Sequence, residues 1–240
     1  MVSLAKIVCV SPAFNEERTV SSIVRESLKH VDEVIVVDDG STDATFKKAL
    51  AAGAIVIRHP RNMGKGAALK TGFSLALKRN ADIIVSIDAD GQHEPNEIPK
   101  LLKKLMHGSF DLVVGSRFLG SIEGMPSLRI LSNTITSRLL RLFFKLPITD
   151  SQSGYRAFKR KVIEVVTFSD PRFAAETEIL IEAHRKGFKI GEVKIKTIYG
   201  EEKSKMRNVE DTIRWLKVLF KYLILSIVNK DNLKRYNLKR

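Results

Sequence analysis

The chain is poor in the residues that would place it in several familiar classes. It has one cysteine, which excludes an internal disulfide framework and suits a reducing compartment. That residue, Cys9, lies in the apolar run KIVCV and reads as a core side chain, not a nucleophile. Only one tryptophan is present and aromatics make up 7% of the sequence. They are too few to interleave with basic residues across a nucleic-acid surface, and no helix-turn-helix or zinc-ligand spacing occurs. No stretch reaches the ~18 uncharged apolar residues of a membrane-spanning helix, and the opening MVSLAKIVCVSP has no signal-peptide core. A cytosolic protein is expected. Acidic side chains are the other deficit. Asp and Glu number 27 against 41 Lys and Arg, a net charge of +14, which asks for a nucleic acid, an anionic membrane surface or a phosphorylated substrate as partner. From Lys203 onward eleven basic residues face three acidic ones, so more than half of the excess lies in the tail.

What is present suffices for a core: 44% of the 240 residues are hydrophobic, enough for one large domain. Short β-branched runs (KIVCVS, DEVIVVD, AIVIRH, DIIVSID, DLVVGS) alternate with helical spacing at roughly 16–30, 43–52, 65–79 and 94–107. Near-continuous Val/Ile strands joined by helices predict a doubly wound, mostly parallel α/β sheet. Beyond Arg117, PSLRILSNTITSRLLRLFFKLP reads as an amphipathic helix, with Arg138, Arg141 and Lys145 opposed to Ile135, Leu139, Leu142 and Phe143. DSQSGYRAF is a polar loop entering a short strand, AAETEILIEAHRKG a helix ending at Gly187, and FKIGEVKIKTI a strand. A last helix is expected from Asn208 to about Asn229, then a basic tail. The organisation is thus one domain, 1–207, with a helical extension, 208–240.

Ligands of such sheets bind beyond the carboxyl ends of the strands, and the unusual residues all fall there. PAFNEE follows the first strand, VDDGSTD the second, DADGQH the fourth and GSR the fifth. Paired carboxylates at a strand end are costly without something bound to them. Asp88 and Asp90, with Gln92, supply oxygen ligands for a hard divalent ion, Mg²⁺ or Mn²⁺, shared with a substrate diphosphate. His93 could add a nitrogen ligand to Mn²⁺. The competing explanation is an Asx-turn with a helix start at Glu94-Pro95. Pro12 and Ala13 form a flat shelf for a base, and Glu16 matches a helix dipole. NMGKGAAL fails the Walker pattern, because Gly66 stands where Ser or Thr is needed, yet Lys65 is placed to face a phosphate. No GxGxxG follows the first strand.

PAFNEE, VDDGSTD, NMGKGAAL, DADGQH, GSR and DSQSGYRAF, in this order and at these intervals, resemble the inverting family 2 glycosyltransferases of GT-A fold. More narrowly they are similar to the dolichyl-phosphate mannose and glucose synthase branch. The resemblance covers roughly residues 5 to 206. It implies a nucleotide-sugar donor bound across Pro12, Ala13, Asn15, Glu16, Asp39 and Asp88, with Lys65 and Ala89 beside them. It implies a divalent ion on Asp88, Asp90 and Gln92. Arg117 and the basic residues of YGEEKSKM would bind phosphates; where the family often has Arg, this chain has Tyr199 and Gly200, so Lys203 and Lys205 must serve. GDP-mannose is the first donor suggested, with UDP-glucose and UDP-N-acetylglucosamine as alternatives.

A lipid phosphate is already an anionic nucleophile, so its site needs Arg and Lys more than a base. Arg117, Arg129, Lys203 and Lys205 are the candidates for it, and Asp90, Arg117 and Asp150 for catalysis. The rival enzyme, a soluble transferase to a sugar or protein hydroxyl, would use Asp150 as base. Glu176 and Glu178 are candidates for the sugar hydroxyls, Glu176 the favoured one, or merely start a helix. TIRWLKVLFKYLILSIV puts Arg214, Lys217 and Lys221 on one face and Leu216, Leu219, Phe220, Leu223 and Ile227 on the other, with Trp215 and Tyr222 as interfacial aromatics. Such a helix lies on the cytosolic face of a bilayer without crossing it, or else packs on the domain. A nucleic-acid-binding protein is the remote alternative, disfavoured because an Asp-rich edge repels phosphate.

Overall fold

Strand β1 (Ile7–Ala13) shows how the sheet is buried on both sides. Val8 and Val10 enter one hydrophobic cluster while Cys9 enters the other, as the two-residue period of a strand requires. The computed structural model describes residues 5–120, 124–196 and 208–237, and in the last stretch the side chains of 210–226. Strands β2 (Glu33–Asp38), β3 (Ile55–Arg58), β4 (Ile83–Ser86), β5 (Leu112–Ser116), β6 (Arg156–Lys159) and β7 (Ile190–Lys194) complete a sheet in the order β3-β2-β1-β4-β6-β5-β7. The doubly wound, mostly parallel sheet read from the sequence is the one found. Strand β6 runs antiparallel between β4 and β5, with Ala157 opposite Val85 on one side and Val113 on the other. This reversed strand starts at the edge where β4 and β5 end. It therefore brings the preceding loop, residues 149–155, over the carboxyl ends of both.

Helices α1 (Val20–Ser27), α2 (Thr45–Ala51) and α4 (Ile98–His107) cover one face of the sheet. On α4 the buried Ile98, Leu101, Leu102 and Leu105 recur at three- and four-residue steps, each contributing about 1.5–3 kcal/mol by burial. Helices α3 (Lys65–Lys78), α5 (Ser127–Phe144), α6 (Arg160–Val165), α7 (Ala174–Arg185) and α8 (Asn208–Asn237) contribute to the other face. The short α6 was not anticipated, and α8 runs past Asn229 through what reads as a polar tail. Helix α7 is buried from Ala174 to Ala183, including Glu176, Glu178 and Glu182, so those carboxylates must find partners inside the protein.

The two amphipathic helices bury faces that their periodicity does not mark. On α5 the buried residues are Asn133, Thr136, Ser137, Leu140 and Phe144, whereas Ile135 and Phe143 are exposed and Leu142 is 72% exposed. The polar stripe turns inward because loop 149–155 needs hydrogen-bond partners there. Ser151 N donates to Ser137 Oγ at 3.0 Å, and Gln152 Nε2 to Thr136 Oγ1 at 3.2 Å. On α8, Trp215 and Tyr222 are not interfacial anchors. They are buried with Val218 and Leu219 in the core against α7, while Ile213, Leu216, Phe220 and Ile224 remain exposed. Among the described residues no helix is long and apolar enough to cross a membrane.

Candidate active site

The loops after β1, β2, β4 and β5 meet around one cavity of about 1340 Å³ at the carboxyl edge of the sheet. The first two are laced together. Asn15 N donates to Ser41 Oγ, Thr42 N to Asn15 Oδ1 and Glu16 N to Thr45 Oγ1, all within 2.8–2.9 Å. Asn15 holds a left-handed backbone, φ 54°, which Asn tolerates better than most residues. Pro12, Ala13, Asn15 and Glu16 line the cavity with Asp39 and Ala89, so the structure brings the proposed donor shelf together. Asp39 is buried and already engaged. It accepts from Met63 N at 2.9 Å, Gly64 N at 2.7 Å and His59 Nδ1 at 2.7 Å. Its first effect is to hold the turn that leads into Lys65. His59, whose Nε2 lies 3.0 Å from Thr71 Oγ1, carried no sequence signal.

Lys65 is the pivot of the acidic wall. Its Nζ lies 2.7 Å from Asp88 Oδ1 and 2.8 Å from Asp88 Oδ2, and 2.7 Å from Glu176 Oε1. Burial alone would lower its pKa, but the charges of Asp88 and Glu176 outweigh burial and hold it above the ordinary lysine range. Loop 149–155 presses on this cluster. A Cβ on Gly154 would stand 2.7 Å from Asp88 Oδ2 and from Glu176 Oε1, so only glycine fits. Asp88 stays below its ordinary pKa, because Lys65 overcomes burial. Asp90 accepts a hydrogen bond from Gln92 N at 3.0 Å, but that bond and the charge of Lys65 do not outweigh what raises its pKa. Burial and the charge of Asp88 push its carboxyl up to about 7.

A divalent ion fits this wall in part. Among the described residues no cluster of three or more His, Cys, Asp or Glu forms a cage. Asp88, Asp90 and Gln92 nevertheless line the same cavity with oxygen donors, and the raised pKa of Asp90 marks a carboxylate short of positive charge. That suits an ion completing its shell with water and substrate phosphate. His93 is not on the cavity wall. It is buried, its ring centroid is 5.3 Å from that of Tyr155, and burial lowers its pKa to about 4.

Arg117 and Arg129 line the same cavity. Arg117, which follows β5, forks onto Asp150 with Nε 2.7 Å from Oδ2 and Nη2 2.8 Å from Oδ1, and its backbone N also donates to Oδ2 at 3.1 Å. Asp150 is fully buried. Burial raises its pKa, yet Arg117 more than compensates and holds it below the usual carboxylate range. A carboxylate so engaged orients Arg117 and is a poor proton acceptor. The backbone of the same loop is held by Glu192 on β7, which accepts from Thr149 N and Asp150 N. Arg156, wholly buried, donates to Ser153 O, Glu176 O and Ser151 O at 2.8–3.0 Å. It staples the loop to α7. A charge at the head of the apolar strand after SGY was the available signal for it. Arg129 on α5 lines the cavity, 3.4 Å from Gln92 Oε1. Lys203 and Lys205 lie outside the described residues. Leu128, Leu131 and Ile135 of α5 and Leu216 of α8 add an apolar lining to the cavity.

A doubly wound sheet with arginines and paired aspartates around one cavity at its carboxyl edge has the makings of an enzyme for anionic substrates. A family model for glycosyl transferase family 2 matches residues 8–167, and the chain belongs to that family; it is a glycosyltransferase that uses a nucleotide sugar. It is 35% identical over 92% of its length to the UDP-N-acetylglucosamine–dolichyl-phosphate N-acetylglucosaminyltransferase of Methanococcus voltae, covering 96% of that protein. It is 31% identical over 78% of its length to the polyprenol monophosphomannose synthase of Mycolicibacterium smegmatis, covering 75% of it. Glucosyl-3-phosphoglycerate synthase from Mycobacterium tuberculosis, solved with Mn²⁺, uridine diphosphate and phosphoglyceric acid, superimposes with a TM-score of 0.74 at 26% identity. That match covers 91% of this chain and 78% of the synthase. The fold is GT-A.

Proposed function

We propose that the enzyme transfers a hexose, with inversion, from a nucleotide sugar to the phosphate of a dolichyl or other polyprenyl phosphate. The reaction depends on a divalent metal and takes place at the cytosolic face of a membrane. The observation that carries this reading is one cavity lined by an acidic wall (Glu16, Asp88, Asp90), by Arg117 and Arg129 and by apolar side chains. A nucleotide diphosphate with its metal matches the first wall, a second phosphate matches the arginines, and a hydrocarbon chain matches the leucines.

In this reading Pro12, Ala13, Asn15 and Glu16 cradle the nucleoside, and Asp39 keeps their neighbouring turn in place. Asp88, Asp90 and Gln92 hold Mg²⁺ or Mn²⁺, which when bound offsets the diphosphate charge and stabilises the departing nucleoside diphosphate. Lys65 adds fixed positive charge beside it. Glu176 offers a carboxylate to the hexose hydroxyls. Arg117, aimed by Asp150, draws the acceptor phosphate into line together with Arg129 and with Lys203 and Lys205. The phosphate oxygen arrives already anionic, so no proton need be removed from it. This accords with Asp150 having both oxygens committed to Arg117, and it counts against the hydroxyl-acceptor alternative in which Asp150 is the base. The exposed face of α8 (Ile213, Leu216, Phe220, Ile224) and the leucines of α5 rest on the lipid surface, aided by the basic tail.

The name of the Methanococcus relative moves UDP-N-acetylglucosamine to the front of the donors, ahead of GDP-mannose and UDP-glucose. Each labelled donor is incubated with polyprenyl phosphate in detergent, with Mg²⁺ or Mn²⁺ and with excess EDTA. Label entering the organic phase from one donor, and stopping with EDTA, is expected. Label reaching only water-soluble acceptors would refute the lipid-phosphate reading.

A further inference from the structure

Glu178, in the first half of α7, is fully buried and lies outside the cavity. Its Oε2 accepts from Ser169 N at 2.7 Å and Asp170 N at 3.0 Å, and its Oε1 accepts from Lys221 Nζ at 2.6 Å and Tyr222 OH at 3.3 Å. One carboxylate thus ties α7 to the segment 169–172 and to α8. Burial raises its pKa, but the Lys221 bond and the two amides overcome this and keep it ionised. Helix α8 grips the same segment twice more, through Arg214 with Asp170 and Arg172 with Glu210, each at 3.7 Å.

The segment lies directly on the turn that carries Lys65. Ala67 N donates to Pro171 O at 3.1 Å. A Cβ on Gly64 would stand 2.3 Å from Pro171 O, and one on Gly66 2.3 Å from Asp170 O. Backbone is in contact with backbone on both sides of Lys65, so a shift of 169–172 cannot be absorbed by a side chain and must move the turn.

We propose that the docked face of α8 is a working part of the donor site. Lys221 and Tyr222, through Glu178, fix the segment 169–172, and the segment fixes the Gly64–Lys65–Gly66 turn on which Asp88 and Glu176 depend. Glu178, Lys221 and Tyr222 are positioning residues that touch no substrate. The consequence for donor affinity rests on the reading of Lys65 as a diphosphate-side residue; the mechanical link does not. Helix α8 then has two separable faces, an inner one serving the donor and an outer one free for the lipid surface.

The full-length chain is compared with Tyr222→Phe, Lys221→Met and Glu178→Gln, with Lys221→Arg as the conservative variant and Lys217→Ala as a surface control on the same helix. Amide hydrogen exchange across residues 62–70 is measured without nucleotide. Dissociation constants are measured for UDP and GDP with Mn²⁺ in detergent solution. Lys221→Met and Glu178→Gln are expected to speed exchange at 62–70 and to weaken binding of the nucleotide that wild type prefers, each by roughly 3- to 30-fold. Tyr222→Phe, the variant least able to disturb folding, acts in the same direction by less. Lys221→Arg recovers most of the loss, and Lys217→Ala matches wild type. Unchanged exchange at 62–70 in all three variants would overturn the link, and loosened exchange with unchanged nucleotide affinity would overturn the claim that α8 serves the donor site. If wild type binds neither nucleotide, the donor reading itself fails, and exchange alone then decides the coupling.

Discussion

Replacing Asp150 by Asn separates an orienting carboxylate from a catalytic base. Asp150 accepts three hydrogen bonds from Arg117, at 2.7, 2.8 and 3.1 Å, with no exposed surface. The amide keeps the shape but removes the charge and turns one acceptor into a donor facing a guanidinium. Breaking a buried pair from one side costs about 3–5 kcal/mol. Because Asn retains one acceptor, the lower end, about 3 kcal/mol, is expected, which for a chain of this size lowers Tm by about 6–12 °C. Arg117, no longer forked, swings by ~1 Å, and transfer to the lipid phosphate falls by about 100-fold. Nucleotide affinity should change little. The decisive assay is a double-mutant cycle on the transfer rate with Arg117→Met. If Asp150 acts through Arg117, Arg117→Met/Asp150→Asn is no slower than Arg117→Met alone. Losses that multiply, with Tm unmoved, would refute the orienting role and restore Asp150 as a base.

Three further outcomes are expected. In the metal-free protein the folded chain retains a proton on Asp90 up to about pH 7, from an ordinary value of 3.8, whereas the unfolded chain has released it. Stability therefore falls as pH rises through that window, and added Mn²⁺ should raise Tm more at pH 8 than at pH 5.5; an equal rise at both would count against Asp90 as a ligand. Gly154→Ala drives a methyl to within 2.7 Å of two carboxylate oxygens and 2.9 Å of Lys65 Nζ, so it should cost about 1–3 kcal/mol and weaken nucleotide binding, read by thermal melts and calorimetry. Phe220→Ser with Ile224→Ser removes two side chains that are 58% and 60% exposed. Co-sedimentation with anionic vesicles should drop sharply while Tm moves by about 1 °C or less, and undiminished co-sedimentation would show that this face is not the lipid contact.

Much of the fold is legible in the sequence. Runs such as EVIVVD, buried at almost every position, can only be strands covered on both faces, and polar residues clustered at their carboxyl ends mark the ligand edge. The motifs DADGQH, PAFNEE and GSR named their residues because each follows a strand directly. Less legible were residues whose role depends on a partner far away in sequence. His59 acts through Asp39, Arg156 through carbonyls of its own loop and α7, and Glu178 through a helix more than forty residues later. Apart from the charge of Arg156 at the head of an apolar strand, nothing local distinguishes such a side chain from a surface one. The amphipathic helices were misread for a related reason. Periodicity shows that a helix has two faces, not which face another element will cover. On α5 the buried stripe is Asn133, Thr136, Ser137, Leu140 and Phe144, between the charged and the exposed apolar faces, because loop 149–155 draws hydrogen bonds from it.

The sequence by itself determined the alternation of strands and helices, the edge at which the site assembles, the acidic pair and the basic surplus, since all of these follow from local periodicity and composition. Tertiary structure alone decided that β6 enters antiparallel between β4 and β5, carrying Asp150 onto Arg117 and Gly154 onto the Lys65 cluster. It also decided that α8 turns its aromatics inward and grips the segment beneath that lysine. Both depend on which surfaces meet when the chain packs, and the strength of a charge or an apolar face is set by what it meets.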